Sequence, residues 1–138
     1  MSLAGRRGTP PGERRHIDTG ALLRLAATAA SEVKPTSLVH LDLRGICALT
    51  DHFLIASASS VRQVRAIAER IEERLSQEQV KMLHREGDRE SGWILLDYND
   101  FIIHIFEDET RLYYDLEGLW ADAPKQELVG GGSQGLLK

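Results

Sequence analysis

The chain has 138 residues, of which 42% are hydrophobic and 28% charged, and a formal net charge of −4. This composition suits one compact domain with a real core plus short tails, and excludes a fibrous or wholly disordered chain. The longest apolar runs, residues 53–56 and 101–103, fall far short of the roughly 20 residues a membrane-spanning helix needs, and the single Cys47 excludes an internal disulfide framework or a multi-cysteine zinc site. A reducing, cytoplasmic setting is the default expectation.

Residues 1–17 carry Arg6, Arg7, Arg14 and Arg15 among Gly5, Gly8, Pro10, Pro11 and Gly12, without apolar periodicity. They read as a flexible arm; an organellar transit peptide is the weaker reading, because Pro10-Pro11-Gly12 breaks the amphipathic helix such peptides form. From Asp18 or Thr19, both good N-caps, Leu22, Leu25, Ala26, Ala29 and Val33 recur at three- and four-residue steps up to Pro35, which predicts a first helix. Residues 38–43 and 53–57 are short apolar runs that predict strands, and Phe53-Leu54-Ile55-Ala56, apolar throughout, predicts a central strand covered on both faces. Ser60 with Gln63 makes a capping-box signature, and Val61, Val64, Ala68, Ile71 and Leu75 then follow a helical rhythm with Arg and Glu on the outer face.

Residues 80–84 predict a weaker strand and residues 85–92 a polar loop. Residues 93–98 and 101–106 predict a hairpin about Asn99-Asp100, where asparagine tolerates positive φ. Residues 107–120 place Leu112, Tyr113, Leu116, Leu119 and Trp120 at helical steps, which predicts one helix or two short ones. Beyond Pro124, Gly130-Gly131-Gly132-Ser133 predicts a flexible tail, taken as residues 123–138. The expected fold is α/β (α+β), a small mixed sheet flanked by helices in the order α-β-β-α-β-β-β-α, with the domain at residues 18–122.

Little in the chain points to catalysis. His16, His40, His52, His84 and His104 are scattered singly, without metal-ligand spacing, and His104 reads as a hydrogen-bonded structural residue. No Gly-x-Ser-x-Gly elbow or cysteine-nucleophile signature is present. The small-residue loop Ala56-Ser57-Ala58-Ser59-Ser60 before a helix keeps a metal-dependent nucleotidyltransferase open as an alternative, with Asp97 and Asp100 the nearest carboxylates. Three residues apart across a turn, however, these two do not project from one strand face as an alternating pair would. Between Asp97 and Asp122, eight acidic residues stand against Arg111 alone. Such a segment is repelled by a phosphate backbone, so direct DNA binding is not expected and a basic protein partner fits better.

The C-terminal half carries a recognisable pattern. Ser91-Gly92-Trp93-Ile94-Leu95-Leu96-Asp97-Tyr98-Asn99-Asp100-Phe101-Ile102-Ile103-His104-Ile105-Phe106, followed by Arg111-Leu112-Tyr113-Tyr114-Asp115-Leu116-Glu117-Gly118-Leu119-Trp120, closely resembles the hairpin and ending of the ribosomal silencing factor (Iojap-like) family. Leu41-Asp42-Leu43-Arg44-Gly45, Leu49-Thr50-Asp51-His52-Phe53 and Ser60-Val61-Arg62-Gln63-Val64-Arg65-Ala66-Ile67-Ala68 extend the resemblance, which covers about residues 20–122. Departures are His52 where tyrosine is common, Ala58 and Asn99 where glycine is usual, and Gly118 where arginine or lysine is usual.

The resemblance implies a nucleotidyltransferase-like fold without the catalytic carboxylate set, no cofactor and no metal, and often a homodimer. It implies binding to the large ribosomal subunit through ribosomal protein fourteen, which would block association of the subunits and repress translation. A dimeric scaffold for another basic protein remains an alternative. By matching positions, Trp93 and Tyr98 are the expected contact anchors, with Asp97, Asp100 and Glu117 as charge partners; Trp93 as core, and Asp97 and Asp100 as turn-stabilising residues, are the bland alternatives.

Overall fold

In the computed structural model, which describes residues 18–87, 90 and 92–129, six strands form one mixed sheet. In chain order the elements are α1 (Thr19–Glu32), β1 (Ser37–Asp42), β2 (His52–Ala58), α2 (Val61–Gln77), β3 (His84–Glu86), β4 (Trp93–Asp97), β5 (Phe101–Glu107), α3 (Asp108–Tyr114), α4 (Leu116–Leu119) and β6 (Lys125–Val129). The strands lie in the order β3-β4-β5-β2-β1-β6. Only β2 and β5 run parallel, as the α2 crossover between them requires; the other pairs are antiparallel. This is the expected helix-flanked mixed sheet, and β2, buried at every position, is central.

Two cores form on the two faces. Even-numbered β2 residues, with odd-numbered residues of β5, pack under α1 and α2: Leu54, Ala56, Ala58, Ile103 and Ile105 meet Leu23, Ala26, Ala30, Ile67 and Ile71. Phe53, Ile55 and Phe106, with Val39 and Leu41, form a smaller core on the opposite face, beneath the loop after β1 and residues 116–123. The strand period of two thus divides the four inner strands, β1, β2, β4 and β5, between the two faces.

The ends of the helices follow from their caps. Asp18 accepts from the Ala21 N–H (2.7 Å), and Ser60 accepts from the Gln63 N–H (3.1 Å). Gln63 Oε1 reaches back to the Ser59 N–H (3.3 Å) while its Nε2 donates to the Val33 and Lys34 carbonyls (3.0 and 2.8 Å), tying α2 to the end of α1. Gln63→Ala should therefore lower the unfolding free energy by about 1–3 kcal/mol, read by urea denaturation, because it leaves several backbone groups short of partners.

Two expectations need correction. The strand expected at residues 80–84 lies later, at His84–Glu86: Val80 and Met82 pack against the α2-side core from a loop, while the exposed His84–Glu86 stretch pairs with Leu95–Asp97 through backbone alone. The tail expected from residue 123 instead supplies β6, an edge strand against β1, with Ala123 and Leu128 buried. Edge strands present polar side chains on the open side and so lack a strong alternating signal. Over residues 107–120, where one helix or two short ones were expected, the chain forms two short ones, broken at Asp115, whose φ of 47° is left-handed. The expected arm at 1–17 and the tail at 130–138 lie outside the described residues.

Candidate partner-binding site

The site is built on the sheet face away from α1 and α2. On β4, Ile94 and Leu96 enter the α2-side core, so Trp93, Leu95 and Asp97 face the other way. Across the ladder they pair with Phe106, His104 and Ile102 respectively. The Trp93 indole stacks on Phe106 (ring centroids 5.6 Å, interplanar 14°) and on His104 (6.0 Å, 19°). Its Nε1–H donates to His104 Nδ1 at 3.2 Å.

That bond fixes the histidine. A neutral imidazole whose Nδ1 accepts must carry its proton on Nε2. His104 is only 5% exposed, and burial pushes its pKa down to about 4, so it is neutral at pH 7. Phe53 crosses it edge-on at 4.6 Å, and Trp120 in turn meets Phe53 at 6.2 Å, which anchors the C-terminal segment to this face. The coverage is incomplete: Trp93, Leu95 and Ile102 are only partly buried. On the elements that cover the rest, Leu112 of α3 (81% exposed), Leu119 of α4 (72%) and Leu49 in the loop after β1 (85%) turn to solvent.

The charge around this apolar surface is one-sided. Arg111 turns inward, its Nη1 donating to Ser37 Oγ and, at 2.6 Å, to Ser57 Oγ. Asp100, Glu109, Asp115 and Asp122 are exposed. The one cation of the acidic segment is thus engaged with the sheet, while these four acids face solvent.

Of the sequence-predicted residues, Trp93 and Asp97 share this face. Asp97 Oδ1 accepts from the Asn99 N–H (2.8 Å), so it shapes the turn as well; Asn99 has φ 80°, as the hairpin requires. Asp100 is exposed at the turn, its carboxylate 3.4 Å from Thr19 Oγ1. Tyr98 is a correction. It is 8% exposed, stacks on Phe101 at 5.3 Å and belongs to the core beneath α2, where burial pushes its hydroxyl up to about 12. The structure gives Tyr98 to the core instead of to a contact surface. The side chain of Glu117, in α4, lies outside the described residues, as do those of Tyr113 and Tyr114.

Sequence reasoning missed Leu95, although its alternation with Trp93 and Asp97 was the available signal. It also missed Gly87, which has φ 105° and the Trp93 carbonyl oxygen 2.2 Å from where a Cβ would stand. Gly87→Ala must push β3 away from the Trp93 backbone. A loss of about 1–3 kcal/mol in urea denaturation is expected, with a changed Trp93 fluorescence maximum. Gly118 likewise leaves space: a Cβ would meet Asp115 Oδ2 at 2.3 Å, where that carboxylate now caps the Gly118 N–H at 3.1 Å.

A family model described as "Ribosomal silencing factor during starvation" matches residues 16–134. The chain belongs to the ribosomal silencing factor family. Ribosomal silencing factors similar to it include that of Bacillus subtilis, 36% identical over 83% of this chain and 97% of the relative, and that of Halalkalibacterium halodurans, 38% identical over 79% and 93%. A crystal structure of a Chromobacterium violaceum protein superposes with a TM-score of 0.73 at 29% identity, covering 85% of this chain and 98% of that one. The match of the ribosomal silencing factor model through residue 134 takes in β6, which ties the last strand to the family domain. No helix among the described residues is long and apolar enough to cross a membrane.

Proposed function

We propose that this ribosomal silencing factor acts in the cytoplasm as a homodimer without turnover. It binds the large ribosomal subunit through ribosomal protein fourteen, and its bulk on that surface keeps the small subunit from joining, which represses translation. The observation that carries this reading is the half-open apolar face centred on Trp93, bordered by a segment in which Asp100, Glu109, Asp115 and Asp122 are exposed and the single arginine is turned inward. A basic ribosomal protein complements such a surface: acids steer the encounter and fix orientation, while a partly buried aromatic supplies most of the affinity. Asp97 and Asp100, at the turn that ends β4, are the charge partners nearest Trp93 in sequence, and Glu117 is the candidate from α4.

The test is direct titration of purified ribosomal protein fourteen at rising salt. Saturable binding that weakens with ionic strength, and that is weakened further by Asp100→Asn, supports the reading; binding indifferent to both would contradict the charge complementarity on which it rests.

A further inference from the structure

Of the first 17 residues, four are arginine, Arg6, Arg7, Arg14 and Arg15, against the single acid Glu13, a net charge of +3. Thirteen basic and 20 acidic residues remain in 18–138, a net charge of −7. The charge asymmetry coincides with a boundary. The match to the ribosomal silencing factor model begins at residue 16, so all four arginines precede it, and the Trp93 face uses none of them.

What such an arm can bind follows from what it lacks. Residues 5–16 contain no Phe, Tyr or Trp and no large aliphatic side chain. The arm thus has no anchor to bury in a protein pocket, where aromatic residues supply most of the affinity. Its binding energy must come from charge. Against the exposed acids of its own domain, each arginine would gain a solvent-exposed ion pair, about 0–1 kcal/mol and screened by salt. Against an RNA backbone the same arginine also releases condensed counterions, and its planar guanidinium meets phosphate oxygens two at a time. Magnitude therefore favours RNA over an acidic protein surface.

The arm is rooted beside the contact surface. Asp18 caps α1, and Thr19 Oγ1 lies 3.4 Å from Asp100 Oδ2, at the β4–β5 turn that adjoins the Trp93 face. Arg15 is three residues from Asp18 and Arg6 twelve, reaches of about 10 and 40 Å for an extended chain. The large subunit is a particle of RNA and protein, so a domain of net −7 docked on one of its proteins is repelled by the phosphates around it. A cationic arm that starts at the edge of the docked face offsets that repulsion.

We propose that residues 1–17 are an RNA-binding arm, in which Arg6, Arg7, Arg14 and Arg15 pair with backbone phosphates of the large-subunit RNA while the Trp93 face holds ribosomal protein fourteen. The arm's setting rests on the large-subunit reading above; its chemistry is separate. It adds affinity without base-specific contacts, because arginines on phosphates carry no sequence information.

The test compares the full chain with R6A/R7A/R14A/R15A on three ligands: isolated large subunits, protein-free large-subunit RNA and purified ribosomal protein fourteen. The four changes lie outside both cores, so circular dichroism should be the same for the two chains. The variant should bind large subunits about tenfold more weakly or worse at low salt. Its plot of log affinity against log salt should be shallower by about 3, since each arginine removed takes away roughly 0.7–0.9. It should also lose the full chain's salt-sensitive binding to protein-free RNA, and bind ribosomal protein fourteen no more weakly than the full chain does. Equal affinity and equal slope for the two chains on subunits and on RNA would overturn the proposal. So would a variant weakened just as much on ribosomal protein fourteen alone, which would make the arm a protein contact. If neither chain binds ribosomal protein fourteen, the large-subunit reading fails, and the protein-free RNA still decides the arm.

Discussion

Replacing Trp93 with alanine is expected to weaken binding to the large subunit by roughly 30-fold or more, the equivalent of losing about 2 kcal/mol at a central aromatic contact. The expectation rests on position. Trp93 is half-buried, supported from below by Phe106 and His104, and thus held in one orientation before any partner arrives. A rigid, partly covered aromatic forfeits little conformational freedom on binding. The fold should survive, because the α2-side core contains no part of this side chain; circular dichroism and a cooperative urea transition check that. Leu95→Arg provides a second route to the same answer. It places a cation on the same face beside Trp93, at a position that is only partly buried, and should impair binding to a basic partner without opening a cavity. Full binding by both folded variants would move the contact surface elsewhere.

Acid should destabilise the protein through His104 by up to about 3 kcal/mol between pH 7 and pH 4, the free-energy equivalent of a pKa lowered from 6.5 to about 4. The sign follows from proton uptake. Below pH 6.5 the unfolded chain binds a proton at this histidine and the folded chain does not, so the stabilisation present above 6.5 is lost progressively down to about 4. Protonation would also turn Nδ1 into a donor and end its bond with the Trp93 indole N–H. Urea unfolding at successive pH values, compared with His104→Phe, isolates the effect. The variant keeps an aromatic ring in the stack and should show a distinctly shallower fall. Some slope remains from His40 and His52, whose pKa values burial also lowers. Equal slopes in the two proteins would remove His104 from the explanation.

What the sequence disclosed depended on whether burial followed a simple period. The long helix α2 and β2, with its unbroken apolar run 53–56, were legible because one side of the first, and both sides of the second, are buried throughout. The hairpin was legible from Asn99, since few residues accept its φ of 80°. Strands β3 and β6 were displaced or missed because each is an edge: His84–Glu86 is wholly exposed, and Lys125–Val129 buries Leu128 alone. The candidate site divides in the same way. Trp93 and Asp97 fall on one face by strand alternation, but the same rule places Tyr98 opposite, and a family pattern does not say which side of a sheet each aromatic will occupy. The contact of His40 Nε2 with His52 Nδ1, at 2.9 Å, could not be read at all. The residues are twelve apart in the chain and meet only through the β1–β2 register, which sets Asp42 opposite His52 and His40 opposite Leu54.

Co-sedimentation of the purified protein with separated small and large ribosomal subunits, followed by a subunit-joining assay on the same samples, tests the central claim most directly. The account predicts stoichiometric binding to the large subunit alone, weaker at higher salt, with joining blocked in proportion to the protein bound. Binding to neither subunit, or binding to the large subunit that leaves joining unimpaired, would contradict it.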